Sequence, residues 1–224
     1  MTETMDDNEV LIERDAVRLD GTYDLAFQSG CVMAYSGTML AGILPLRQGT
    51  CWNWLARLME PDRFLLRRGS LKGTLWLGSR DCPYAEPLKA DSSVFVRSDA
   101  LLCVSLAQRI GGSSLRLVPG SARNAMALTE VRTDGPLAPF VCTASPLCEA
   151  SLDDGETLHV SPSAFVAWSG CAKPKAFCAR MRLRDLFLPR LPETLTLDFR
   201  GPGRVWFQGA ARSAKAKPSR RQLW

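Results

Sequence analysis

The strongest constraint on this chain is the brevity of its apolar runs, which from residue 69 onward recur about a dozen residues apart and are cut by Gly, Pro, Asp and Ser. Runs that short cannot make helices of three turns, whereas alternation of apolar and polar residues sets one face of a strand on a core. Gly69–Gly78 alternates Leu71 with Lys72 and then carries Leu75, Trp76 and Leu77 between glycines. Further strands are expected over 93–97, 101–105, 114–118, 139–143, 156–160, 164–168, 176–182, 194–199 and 204–208. The first two of these are expected to pair around Ser98, Asp99 and Ala100. One helix is expected over Cys51–Met59, where Trp52, Leu55, Leu58 and Met59 fall at helical spacing ahead of Pro61. The expected fold is therefore all-β, built of repeated short-strand units of sandwich or barrel-like type, with at most one or two short helices.

A loose internal repetition supports that reading. Residues 152–168 and 88–104 share one cadence: a polar turn, a β-rich segment, a small residue, then an apolar segment. A shorter version lies over 25–35. This is the grammar of hairpins and points to duplicated β-units. With 224 residues, 46% hydrophobic and 23% charged, the chain can build its own core, and disordered, collagen-like, coiled-coil and polytopic membrane classes are excluded.

Charge divides the chain. Glu3, Asp6, Asp7, Glu9, Glu13, Asp15 and Asp20 against Arg14 and Arg18 give residues 1–20 a net of −5, so the rest carries +10 of a total of +5. Residues 211–224 hold Arg212, Lys215, Lys217, Arg220 and Arg221 with no acid, and end on Trp224. Three regions are expected: an acidic extension (1–20), the β domain (21–210) and a basic tail (211–224). A free basic tail is solvated; in contact with phosphate, of RNA or of anionic lipid, its five cations would displace counterions.

Chemistry is sparse. A single His159 removes most metal-site and general-base arrangements. It stands between Leu158 and Val160, so strand alternation turns it away from both, toward a surface or an interface. Cysteines 31, 51, 82, 103, 142, 148, 171 and 178 form no Cys-x-x-Cys pair, which argues against structural zinc. Cys31, Cys103 and Cys142 sit in apolar runs and read as buried reduced thiols, hence a reducing compartment. Gly111-Gly112-Ser113-Ser114 lacks the Lys-Ser/Thr step of a phosphate loop and precedes a strand. Asp153, Asp154 and Glu156 supply too few oxygens for calcium and read as a solvated turn. Trp76, Trp168 and Trp206 lie in strands with apolar neighbours and read as core or interface. No cofactor and no small-molecule substrate is expected, and the chain does not read as an enzyme.

Three segments in order carry a family resemblance: Arg67-Arg68-Gly69-Ser70-Leu71, then Asp153–Trp168, then Phe199–Gln208. Together they resemble the altered inheritance of mitochondria protein 24 family, with its basic-basic-Gly-Ser/Thr-Leu entry, its Gly-Glu-x-Leu-x-Val hairpin and its Gly-Pro-Gly-x-Val closing strand. The resemblance spans roughly residues 23 to 210. The chain departs from it over 105–140, where the glycine-rich stretch is thin, and the basic tail is no part of it. The resemblance implies a compact fold of repeated β-units similar to that of the tryptophan RNA-binding attenuation protein. It implies a noncatalytic role at or near the mitochondrial inner membrane, in maintaining large assemblies, and supplies no catalytic residues. The Arg-Arg-Gly-Ser-Leu form is similar to the mitochondrial branch, which favours the matrix or the matrix face of the inner membrane over the cytoplasm. No arginine-rich transit segment opens the chain, so such residence requires an uncleaved signal or one already removed.

Physical reasons stand beside the motifs. Gly201-Pro202-Gly203 is expected to turn tightly, both glycines at positive φ, and to feed Val205, Trp206 and Phe207 into a sheet. Asp154-Gly155 is a hairpin-turn signal. Arg67 and Arg68 face opposite sides of a strand, and one is expected in a surface ion pair. The expected function is that of an interaction protein, a component or scaffold of a multi-subunit mitochondrial assembly. The alternatives are an RNA-binding module holding phosphates on Arg212, Lys215, Lys217, Arg220 and Arg221, or a peripheral scaffold on an anionic membrane.

Overall fold

The computed structural model describes residues 9–13, 16–43, 66–79, 82–90, 92–117, 125–133, 137–171, 173–178 and 195–209. The expected helix over Cys51–Met59 and the basic residues Arg212, Lys215, Lys217, Arg220 and Arg221 lie outside them.

The described residues are all-β. In chain order the strands are β1 (Glu9–Glu13), β2 (Ala16–Gln28), β3 (Val32–Ile43), β4 (Leu66–Gly78), β5 (Tyr84–Pro87), β6 (Ser93–Arg97), β7 (Leu101–Ser105) and β8 (Ile110–Arg116). There follow β9 (Ala125–Arg132), β10 (Phe140–Thr143), β11 (Leu147–Leu152), β12 (Thr157–Val160), β13 (Phe165–Ser169), β14 (Lys175–Cys178), β15 (Leu195–Arg200) and β16 (Gly203–Gln208). They form three antiparallel sheets. The first runs β3-β4-β2-β7-β10-β5, with β1 also on β2; the second runs β11-β16-β13-β6-β9-β8; the third is β12-β15-β14. The first sheet thus begins at Glu9, inside the stretch read as an acidic extension.

Three apolar clusters hold the sheets together, because each strand must bury at least one face. The first sheet curls round its own core of Leu19, Leu25, Phe27, Leu71, Leu75, Leu77 and Phe140. Leu66, Val94, Val96, Val104, Val131, Val166 and Trp206 fill the space between the first and second sheets. Leu128, Phe165, Trp168, Leu197, Phe199 and Val205 join the second sheet to the third. Strands β7 and β13 are buried along their whole length and feed two cores each, which is why Leu101–Val104 and Phe165–Trp168 read as unbroken apolar runs rather than as alternation. Trp168 stacks on Phe95 with ring centroids 4.7 Å apart and tilts against Phe165 at 5.7 Å. Such pairs add about 0.5–1.5 kcal/mol each beyond area burial.

Two expected pairings are corrected. β6 and β7 do not pair: β6 lies between β13 and β9 in the second sheet, and β7 between β2 and β10 in the first. The link at Ser98–Ala100 is a crossing. The last residue of β6, Arg97, donates to the carbonyls of Ser163 and Phe165 and grips Asp99 at 2.5 Å, pinning the exit from the second sheet. Likewise β12 and β13 are not a hairpin, since β12 pairs β15 in the third sheet and β13 pairs β16 and β6 in the second. The shared cadence of 88–104 and 152–168 therefore marks links between sheets: a half-buried strand, a short turn, then a strand buried on both faces. The third instance is no hairpin either, because β2 and β3 flank β4. The strands β1, β5, β9 and β11 have no counterpart in the sequence reading.

Across β2, β4 and β3 three glycines stand in one row, Gly21 opposite Gly73 opposite Gly37, with φ of 129°, 136° and 97°. A Cβ on Gly73 would enter the Ser36 carbonyl oxygen, and one on Gly37 the Lys72 carbonyl oxygen. The three long strands bend together there, and only glycine permits it.

Candidate interaction surface

The positions singled out by sequence fall into buried, structural and exposed sets. Trp168 and Trp206 are buried, and Trp76 is half-buried beneath Arg18, whose guanidinium carbon lies 5.6 Å from the ring centroid. Cys31, Cys103 and Cys142 are buried thiols, as expected. Burial pushes the Cys31 thiol up to about 12 and raises that of Cys103. The neighbouring Cys82 and burial raise that of Cys142, whose Sγ donates to the Cys82 carbonyl at 2.8 Å. These groups stay protonated and behave as small hydrophobes.

Gly201-Pro202-Gly203 carries the chain from β15 in the third sheet to β16 in the second. Only Gly203 takes a positive φ, 156°; Gly201 is needed for another reason, since a Cβ there would collide with the Asp153 carbonyl. Asp153–Glu156 is the matching corner on the neighbouring pair of strands, closed by Glu156 N donating to Asp153 O at 3.1 Å, and Gly201 N donates to Glu156 O at 3.0 Å. Both turns pass the same bend side by side. Asp154-Gly155 is accordingly a turn between sheets rather than the tip of a hairpin. Gly111 and Gly112 lie inside β8, as strand.

His159 is on the outer face of the third sheet, its side chain 60% exposed, with Nδ1 2.7 Å from Asp198 Oδ1. Thr196 Oγ1 donates to the same carboxylate oxygen at 3.2 Å. Strand alternation placed the imidazole outward; its partner, on a strand far away in sequence, had no local signal. Among the described residues no nucleophile is hydrogen-bonded to His159, and no cluster of His, Cys, Asp and Glu could hold a metal ion.

Arg67 and Arg68 are both exposed on β4. The surface ion pair expected for one of them is not made with any described residue. The rest of that motif is structural: Leu71 is core, and a Cβ on Gly69 would strike the buried ring of Phe27.

What the sequence reading missed is the strand beside these arginines. Among the described residues β3 is an edge of the first sheet and pairs only with β4. Its sequence, VMAYSGTMLAGI, holds no charge and no proline. Met33, Tyr35 and Leu40 are 61%, 58% and 71% exposed. Tyr35 and Met39 stand opposite Leu75 and Leu71 and so share the core-facing side, but the core ends at β4 and leaves Tyr35 open. Leu40 is on the other face, with Lys72 and Arg68 near it on β4. Natural edge strands are short, charged or broken by proline to prevent pairing with other chains. β3 is bulged only at its start, between Val32 and Ala34. Among the described residues the arrangement offers one row of open backbone groups, three large apolar side chains and a fringe of cations. It is fitted to add a strand or to cover an apolar surface. The signal was legible as a twelve-residue stretch without a guard residue.

Three antiparallel sheets joined by shared apolar clusters, with a long uncharged strand edge among the described residues, define the class of protein to which this chain belongs: an all-β protein of packed antiparallel sheets. The particular family is the mitochondrial biogenesis AIM24 family, whose profile matches residues 15–210, and the chain belongs to it. This is the family that the three motifs resemble. No curated protein matches the chain. The X-ray structure of a Streptococcus pyogenes protein superposes with a TM-score of 0.64 over 90% of this chain and 92% of that one, at 14% identity. At that identity the likeness shows the fold, which is thus not confined to mitochondria.

Proposed function

We propose that this protein is a noncatalytic interaction component of a larger mitochondrial assembly, in the matrix or on the matrix face of the inner membrane, and that the β3 edge is where a partner protein docks. One observation carries the reading: twelve uncharged residues of edge strand, with Met33, Tyr35 and Leu40 exposed and no residue set to repel pairing. The family's connection with mitochondrial biogenesis supports the compartment. Among the described residues no helix is long and apolar enough to cross a membrane.

The test compares the full chain with a variant carrying Met33→Lys and Leu40→Lys, both purified natively from mitochondria. The wild type should bring down a partner in stoichiometric amount and the variant should lose it, with unchanged circular dichroism and melting. A wild type recovered as a lone monomer overturns the reading. The five cations Arg212, Lys215, Lys217, Arg220 and Arg221 favour RNA as a second reading. Anionic lipid is a third, and absence of co-flotation with cardiolipin vesicles at low salt would remove it.

A further inference from the structure

Four of the chain's eight cysteines meet in the core of the first sheet. Cys31, Cys103 and Cys142 belong to that core, and Cys82 packs against it from the rim. They arrive from separate segments: Cys31 from the turn between β2 and β3, Cys82 from the link between β4 and β5, Cys103 from β7 and Cys142 from β10. All four carry thiols, and their exposure is graded, since Cys82 is half-buried and the other three are buried.

Cys142 and Cys82 are the pair in contact. Cys142 lies in the core with Ala85, which stands opposite it on β5. Its Sγ donates to the Cys82 carbonyl at 2.8 Å, and the two thiols are themselves hydrogen-bonded. Cys82 N donates to Ser79 O at 3.4 Å, closing the link into a turn whose carbonyl rests on the Cys142 sulfur. The Cys31 thiol points elsewhere, toward Leu102 O at 3.9 Å. A disulfide needs its sulfurs about 2.05 Å apart and its Cα atoms roughly 4.4–6.8 Å apart. Thiols already in hydrogen-bond contact reach the first condition by rotation about their Cα–Cβ bonds.

We propose that Cys82 and Cys142 form a site of reversible oxidation, at which a hydroperoxide meets Cys82 at the rim and Cys142 closes a disulfide from the core side. The Cys82 thiolate attacks one peroxide oxygen; an S–O bond forms, the O–O bond breaks, and the leaving hydroxide takes up the proton that Cys82 released. The Cys142 sulfur then attacks the sulfur of this sulfenic acid. An S–S bond forms, the S–O bond breaks, and the leaving hydroxide takes the Cys142 proton. Two thiols and one hydrogen peroxide become one disulfide and two waters, with sulfur oxidised and peroxide oxygen reduced. Burial assigns the roles. The first attack needs an accessible thiolate, and Cys82 is the member of the pair that reaches solvent. Cys142 is held protonated by its hydrogen bond with Cys82 and by burial, and loses its proton only as the disulfide closes. The bond would staple the β4–β5 link to β10 and fasten β5, which ends the described first sheet on the side away from β3. In a reducing compartment such a bond is transient, which suits sensing rather than construction.

Peptide mapping of the reduced full-length protein, treated with hydrogen peroxide and then alkylated, tests this. The expected product is a peptide pair joined through Cys82 and Cys142, returned to two thiols by dithiothreitol. The oxidised form should melt about 5–15 °C higher, because the bond closes a long loop of chain. Cys82→Ser and Cys142→Ser should each abolish the crosslink and the shift, whereas Cys148→Ser, at an exposed cysteine on β11, should leave both. A Cys82 that passes to the sulfinic acid while Cys142 remains alkylatable overturns the proposal. So does a crosslink from Cys82 to any other cysteine, or a Cys82 that peroxide leaves unmodified. These three outcomes are read on the wild type and require no variant to fold.

Discussion

At the residue scale, backbone geometry and burial decide what each side chain does. Gly73→Ala forces a β-carbon into φ +136° and against the Ser36 carbonyl. Strain in such a region costs about 1–3 kcal/mol, against a gain of about 0.4–1 kcal/mol from a less flexible unfolded chain. A net loss of about 1–2 kcal/mol is expected in urea unfolding, and more if Ser36 cannot shift. Gly30→Ala is the comparison, because Gly30 has φ +82° with nothing near its missing Cβ. Equal losses in the two would mean that the close approach across the glycine row does not matter. The thiols make a second case. With Cys31 raised to about 12 by burial, the unfolded chain releases its proton from about pH 8.5 upward while the folded chain keeps it. Stability therefore falls as pH rises between those values, by about 1.4 kcal/mol per unit for each such thiol. Cys103 and Cys142 are shifted in the same direction. Urea midpoints between pH 9 and 11 should fall, and Cys31→Ala should make the fall shallower whatever its starting stability. An unchanged slope would show that Cys31 is not protected in solution.

At the scale of elements, Trp168 and Phe177 show what period can and cannot reveal. Both read as aromatic strand residues. Trp168 is buried against Phe95, Phe165 and Phe199, whereas Phe177 on β14 is 54% exposed. Trp168→Ala should cost about 3–5 kcal/mol, and Phe177→Ala should stay within about 0.5 kcal/mol; denaturant midpoints distinguish them, and similar losses would refute the assignment of faces. The existence of most strands from β4 onward was legible because apolar runs and turn residues are local. Their partners were not. Ser98–Ala100 is as short as a hairpin loop, yet β7 leaves for another sheet because a strand as apolar as Leu101–Val104 must be covered on both faces. Nothing within three residues records that requirement. β3 was obscured for the opposite reason: it has no alternation to detect, since neither of its faces is fully covered. β9 and β11 mix apolar residues with Thr, Glu and Ser, and take their strand form from β6, β8 and β16 beside them.

At the scale of the whole molecule, three motifs in order were enough to place the chain in its family, because Gly69, Gly201 and Gly203 each sit where a β-carbon would strike another segment of the fold. Charge distribution leaves one question that those motifs do not touch. The +5 of the whole chain arises from a body and tail carrying +10, and two cation sets could meet a polyanion: the fringe of Arg67, Arg68 and Lys72 on β4, and the five cations of 211–224. Salt dependence separates them. Each phosphate neutralised on single-stranded RNA contributes about 0.7 to the slope of log affinity against log salt. If RNA is bound through Arg212, Lys215, Lys217, Arg220 and Arg221, deleting residues 211–224 should lower that slope by up to about 3.5 and weaken binding most at low salt. If the β4 fringe is the contact, the deletion leaves the slope unchanged, and Arg68→Gln with Lys72→Gln, which share a face of β4, lowers it by about 1.4 instead. A chain whose affinity for RNA is negligible at 50 mM salt with the tail intact removes the RNA reading altogether. The basic residues would then be left to serve protein or membrane contacts, and the uncharged edge of β3 lies directly beside one of the two sets.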